Sequence, residues 1–219
     1  MGVVVYLRCE KEKKSGKSER RGKMRTIMAV VVAVGLVLGF SGLSMAEEKV
    51  IFGFEKDAQG WEIPEWALEQ DDHVAKSADA SKDVAKEGKG SLKVNAAFPG
   101  KVWTAAIVED FEYFDWTPYK AVMVDLYIPK DAPVGLKGKI IVTVGENWKF
   151  TEMARSVALV PGEWVTISAN LMPGSEDWKR TVVDDNFRKD IRKITVRIES
   201  NKKPEYTGPI YIDNIRLEK

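Results

Sequence analysis

"GPIYIDNIRLEK" (Gly208–Lys219) closes the chain and carries the argument for its fold. Ile210 and Ile212 alternate with Tyr211 as a half-buried strand requires, but the next apolar residues, Ile215 and Leu217, fall one position out of phase. A strand has a side-chain period of two, so the slip at Asp213–Asn214 would turn Ile215 and Leu217 to the wrong face unless one extra residue is accommodated there. The pattern predicts a β-bulge at an aspartate in the last strand.

Other segments read the same way. Val50–Phe54, Gly90–Phe98, Val102–Phe111 and the alternating Val122, Val124, Leu126 and Ile128 are expected strands, the last stopped by Pro129. "GKIIVTVGENW" (Gly138–Trp148) is apolar on both faces, as a strand between two layers would be. "EWVTISANL" and "IRKITVRIES" complete the set before the final strand. Clusters such as "FPGK", "PKDAPVGLKGK", "VPGEW" and "NKKPEYTGP" separate the runs. Short strands at this spacing indicate an all-β sandwich or barrel. No stretch reads as a convincing helix. The alanine-rich His73–Lys89 segment is expected to be a short helix or an open loop.

The N-terminal part reads differently. Residues 24–46, "MRTIMAVVVAVGLVLGFSGLSMA", have a basic start at Arg25, an apolar run from Ile27 to Phe40, and Ser44 and Ala46 at −3 and −1. This is the pattern of a cleavable signal peptide ending at Ala46. The run is short beside the roughly 20 residues of a membrane span, and an uncleaved anchor is the competing reading. Residues 1–23 read as a misannotated extension ahead of the true start at Met24, with a long basic n-region as the competing reading. The expected product is residues 47–219, one domain, secreted or periplasmic and free of the membrane after cleavage.

Nine of the 34 Lys and Arg and three of the 33 Asp and Glu lie in residues 1–46, which leaves 25 and 30 in residues 47–219 and a net charge of about −5. With the signs interspersed, nothing favours nucleic acid as a partner. Cys9 is the only cysteine, so the expected product has no disulfide, thiolate metal site or catalytic thiol.

No catalytic constellation is legible. The single histidine, His73 in "DDHV", has carboxylates only as immediate neighbours, and three adjacent residues cannot all point at one ion; a solvated loop is the expectation. No serine sits in a Gly-x-Ser-x-Gly elbow, and no phosphate-binding glycine loop is present.

Tryptophan is the distinctive signal, because all seven lie beyond residue 46. Trp61, Trp116 and Trp164 flank turns and are expected in the core. Trp66, Trp103, Trp148 and Trp178 have polar neighbours ("IPEWALEQ", "GKVWTAA", "GENWKFTE", "SEDWKR") and are candidate platforms for the apolar face of a sugar ring. Half-burying one indole removes about 100 Å² from water, worth roughly 2–2.5 kcal/mol before ordering costs. Burial in the core is the competing reading for each of the four.

In order, "IFGFEKDAQGWE", "GKGSLKV", "DWTPYKAVMVDLYIP", "PGEWVTIS" and "GPIYIDNIRLEK" resemble the jelly-roll carbohydrate-binding modules with a galactose-binding-like sandwich, of the type attached to mannanases and other plant-wall glycosidases. The resemblance spans nearly all of residues 49–219. It implies that the first and last strands share one sheet and a structural calcium ion (Ca2+). The implied ligands are Glu55, Asp213 and a backbone carbonyl near Lys89–Gly90, and the bulge would aim Asp213 at the ion. The alternative is that Asp213 bonds to loop amides and no metal binds. The expected function is non-catalytic binding of a polysaccharide or oligosaccharide. A cell-envelope sandwich that binds another protein is the second reading, and a jelly-roll glycan hydrolase or lyase is the third.

Overall fold

The computed structural model describes residues 47–219; the expected signal peptide and the extension before it lie outside them. Eleven strands and two short helices follow in order: β1 (Glu48–Phe52), α1 (Glu65–Leu68), β2 (Ala75–Ser81), β3 (Ser91–Pro99), β4 (Ala105–Asp110), β5 (Ala121–Tyr127), β6 (Leu136–Val144), β7 (Lys149–Glu152), β8 (Val157–Ala158), β9 (Trp164–Asn170), α2 (Asp185–Lys189), β10 (Ile191–Ser200) and β11 (Glu205–Glu218). They form two antiparallel sheets. One has the order β2-β3-β11-β5-β9, with β1 also paired to β11; the other has the order β4-β10-β6-β7, with β8 also paired to β6. This is the expected β-sandwich.

Period-two alternation builds the core. Val122, Val124 and Leu126 of β5 meet Ile194, Val196 and Ile198 of β10 and Ile140 and Val142 of β6 in one buried cluster. The sheets approach so closely at Gly138 that a Cβ there would lie 2.4 Å from Leu126 Cδ1 and 2.6 Å from Ile167 Cδ1. Trp61 and Trp116 are buried in this core as expected.

The bulge is where the sequence pattern puts it. The β11–β5 register shifts between Asp213 and Arg216, and Asn214 takes a positive φ of 49°. Ile215 and Leu217 thereby rejoin Ile210 and Ile212 in the core.

Four expectations need correction. His73–Lys89 contains strand β2, whose polar composition reflects its place at the sheet edge, paired only with β3. His73 pairs with Ala105 in a parallel bridge instead of lying in a solvated loop. The second apolar face of β6 does not meet another layer; Ile141 and Thr143 line an open groove. Trp164 is half-buried on the outer face of the larger sheet, in register with Tyr127 at 5.4 Å between ring centroids, and is not in the core.

Candidate glycan-binding groove

A groove of about 480 Å³ lies on the outer face of the β4-β10-β6-β7 sheet. Its floor consists of the alternate residues that do not face the core: Ile107 and Glu109 of β4, Lys193, Thr195 and Arg197 of β10, and Ile141 and Thr143 of β6. Phe150 of β7 stands at one margin, and Trp66 and Trp103 at the other side and end.

Chain geometry forces Trp66 over the groove. Glu62 pairs with Glu109, and His73 pairs with Ala105, so the twelve residues Glu62–His73 accompany only the five residues Ala105–Glu109 of β4. That stretch of β4 spans only about 13 Å, and the excess chain must bow outward. It does so as α1, entered through Pro64, which presents Trp66 at 46% exposure. Trp103 is 41% exposed and precedes β4 instead of lying within it. Buried Ser200 holds it from behind: its Oγ accepts the Thr104 N–H at 2.8 Å and lies 3.1 Å and 3.4 Å from the carbonyls of Thr104 and Val102. The Arg197 guanidinium sits 5.8 Å from the Trp103 ring centroid.

The floor is charged, and its charges are paired. Glu109 accepts from Lys193 at 2.5 Å and from Thr195 at 3.3 Å. Arg197 donates to Glu152 at 2.6 Å and to Glu199 at 3.2 Å, and Lys139 approaches Glu152 at 3.5 Å. Burial would raise the Glu152 pKa, but Lys179, Arg197 and Lys139 bring it below the ordinary carboxylate value. His73, in the wall, has both ring nitrogens buried without a partner among the described residues. Burial, with Lys76 nearby, lowers its pKa and keeps the ring neutral at pH 7. The result is a fixed array of donors and acceptors between two flat apolar faces. Such an array suits a ligand with many hydroxyl groups and apolar ring faces.

The other two candidate tryptophans lie elsewhere. Trp148 is 43% exposed, but it stacks on Phe111 at 5.4 Å with the planes 22° apart, and it is not among the residues lining the groove. Trp178 is 3% exposed, packs on Phe187 and donates its indole N–H to the Asn170 carbonyl at 2.9 Å. Its polar sequence neighbours face solvent while the indole is covered, so Trp178 is corrected from platform to core. Ser200 was missed, since a lone serine in "IES" carries no signal of the loop it holds.

No family profile matches this sequence, and no curated protein sequence matches it. Solved structures do. The CBM27-1 module of Caldicellulosiruptor saccharolyticus, solved with mannohexaose, aligns with a TM-score of 0.55 and 21% identity over 79% of this chain and 97% of that one. A carbohydrate-binding module specific for non-crystalline cellulose, CBM28, aligns with a TM-score of 0.52 and 14% identity over 73% and 88% of the two chains. The fold is the jelly roll of carbohydrate-binding modules. An exo-β-agarase contains a similar unit, aligned with a TM-score of 0.53 and 16% identity over 77% of this chain and 24% of the enzyme.

In this jelly roll β1 and β11 pair, which brings Glu55, three residues after β1, toward Asp213. Asp213 is buried and accepts the amides of Lys86 at 2.7 Å, Glu87 at 3.1 Å and Asn214 at 2.6 Å. Glu55 accepts the Lys89 amide at 3.0 Å. The loop-amide role of Asp213 is therefore present. Its pKa is nevertheless raised, by burial first and also by the neighbouring Glu55 charge, against the pull of the three amides. Gly88 and Gly90 leave a space that no side chain could share: a Cβ would lie 1.7 Å from Glu55 Oε1 at Gly88 and 2.2 Å from the Phe54 carbonyl at Gly90. Hard oxygen donors and unrelieved negative charge suit calcium. Among the described residues no three His, Cys, Asp or Glu converge, so the remaining ligands would be backbone carbonyls and water.

Proposed function

We propose that this protein binds a polysaccharide in the groove, with pyranose rings stacked on Trp66 and Trp103 and hydroxyls bonded to the paired charges of the floor. One observation carries the reading: two nearly half-exposed indoles border one groove whose floor is polar and already charge-balanced. The likeness to modules solved with or specific for polysaccharides supports it. Calcium, held by Glu55, Asp213 and a carbonyl near Lys89, would fix the chain ends relative to each other. The N-terminal signal pattern supports export. Affinity electrophoresis in calcium against soluble mannans, glucans and xylans tests the reading; retardation in at least one gel is expected, and none in any gel would sink it.

A second reading has its own observation. Phe111, Tyr113 and Trp148 form an exposed aromatic cluster at one end of the sheet, with Arg192 5.5 Å from the Tyr113 ring and 5.2 Å from Trp148. Exposed apolar clusters of this kind mark contact surfaces. Under that reading this end binds another protein, and Trp148→Ala weakens the contact without changing retardation by polysaccharide.

A further inference from the structure

A second cavity, of about 320 Å³, opens at the β7 margin of the groove and is lined by Lys149, Phe150, Glu152, Lys179 and Arg180. Phe150 lines both cavities, so the two adjoin at its ring. The segment carrying Lys179 and Arg180 runs beside β7: Met153 pairs with Trp178, the Lys179 amide donates to the Glu152 carbonyl at 2.9 Å, and the Thr151 and Thr181 hydroxyls meet at 2.9 Å. Arg180 is held at φ 53°, in the left-handed region that non-glycine residues rarely adopt. The backbone is therefore fixed where the cations emerge.

The charge at this margin is unbalanced. Glu152 is the only acid of the cavity, and it already meets Lys139, Lys179 and Arg197. Lys149 and Arg180 are exposed and form no ion pair among the described residues. This local positive excess stands against a net charge of about −5 for residues 47–219. A neutral glycan would leave both cations without a counter-charge.

We infer that the β7 margin is a subsite for an acidic sugar, whose carboxylate or sulfate meets Arg180, Lys149 and Lys179 while its ring lies against Phe150. The inference rests on the glycan reading of the groove and narrows it to anionic polysaccharides. A guanidinium fork and two ammonium groups match the oxygen geometry of either anion. Phe150, 56% exposed, offers the ring face that a free inorganic anion would not need.

The test is calorimetric titration of the protein with an acidic oligosaccharide and with its carboxyl-reduced counterpart, plus a sulfated oligosaccharide and inorganic polyphosphate. About tenfold tighter binding of the carboxylate or sulfate form is expected, the value of one charge-assisted hydrogen bond. That ratio should fall toward one in about 0.5 M salt. In K149Q/R180Q the acidic and reduced forms should bind alike. Equal wild-type affinities for the acidic, reduced and sulfated forms would overturn the subsite and leave the glycan reading standing. No binding of any oligosaccharide would overturn both. Polyphosphate binding that survives Trp103→Ala, with acidic-sugar binding equally indifferent to that change, would reduce the margin to an ion-exchange surface and overturn the inference.

Discussion

Asp125 and Asp213 face each other in register across β5 and β11, both fully buried, and among the described residues only Asp125 has a cation. Asp125 accepts from Arg216 at 2.7 Å, from Asn214 at 3.0 Å and from Thr166. Asp213 has only amides as partners among the described residues, and burial raises its pKa. A buried carboxylate without a counter-charge is destabilising, and a bound cation would relieve it. Calcium is therefore expected to raise the melting temperature relative to chelator, by about 2.7 kcal/mol of stability at a hundredfold excess over Kd. Asp213→Asn should abolish the difference. Superimposable melting curves for the native protein in calcium and chelator would refute the site.

Tryptophan substitutions separate platform from core. Trp66→Ala and Trp103→Ala should each weaken polysaccharide binding by roughly 2 kcal/mol, about thirtyfold, with little change in folding. Trp61→Ala and Trp116→Ala should instead cost about 3–5 kcal/mol of stability. Paired urea melts and titrations decide. A Trp103 variant as unstable as the Trp116 variant would remove Trp103 from the binding site.

Ser200→Ala probes how Trp103 is held. The change leaves the buried Thr104 N–H without its acceptor, at a cost of about 1–3 kcal/mol. It should also weaken polysaccharide binding, because the loop bearing Trp103 loses its anchor. Full-strength binding by a destabilised variant would show that Ser200 serves stability alone.

Asp110 sets a pH dependence. It ends β4 with Oδ2 buried and unpartnered among the described residues. Burial, then Glu112 and Glu62, raises its pKa from 3.8 to about 6. The folded state therefore holds the proton more tightly than the unfolded state does. The stability this contributes is complete below about pH 4 and is lost as pH rises to about 6, by up to about 3 kcal/mol. Asp110→Asn should be more stable than the wild type at pH 7 and show a shallower fall between pH 4 and 7 in urea melts. Parallel stability profiles for the two proteins would contradict this.

Local pattern determined much of this protein. Alternation at Val122, Val124 and Leu126 made β5 legible, and the phase slip at Asp213 located the bulge, because which face a strand residue takes depends on its immediate neighbours. The ordered motifs made the jelly roll legible as a resemblance. Tertiary structure decided the rest. β2 was hidden because an edge strand with one covered face needs few large apolar residues. α1 exists because twelve residues must accompany five of β4, a mismatch that no local propensity encodes. Trp66 and Trp178 each follow an acidic residue, Glu65 and Asp177, yet Phe187 and the Asn170 carbonyl cover Trp178 while Trp66 overhangs an open groove. Exposure depends on residues far away in the chain, so the sequence could nominate the tryptophans and only the packing of the sheets could choose among them.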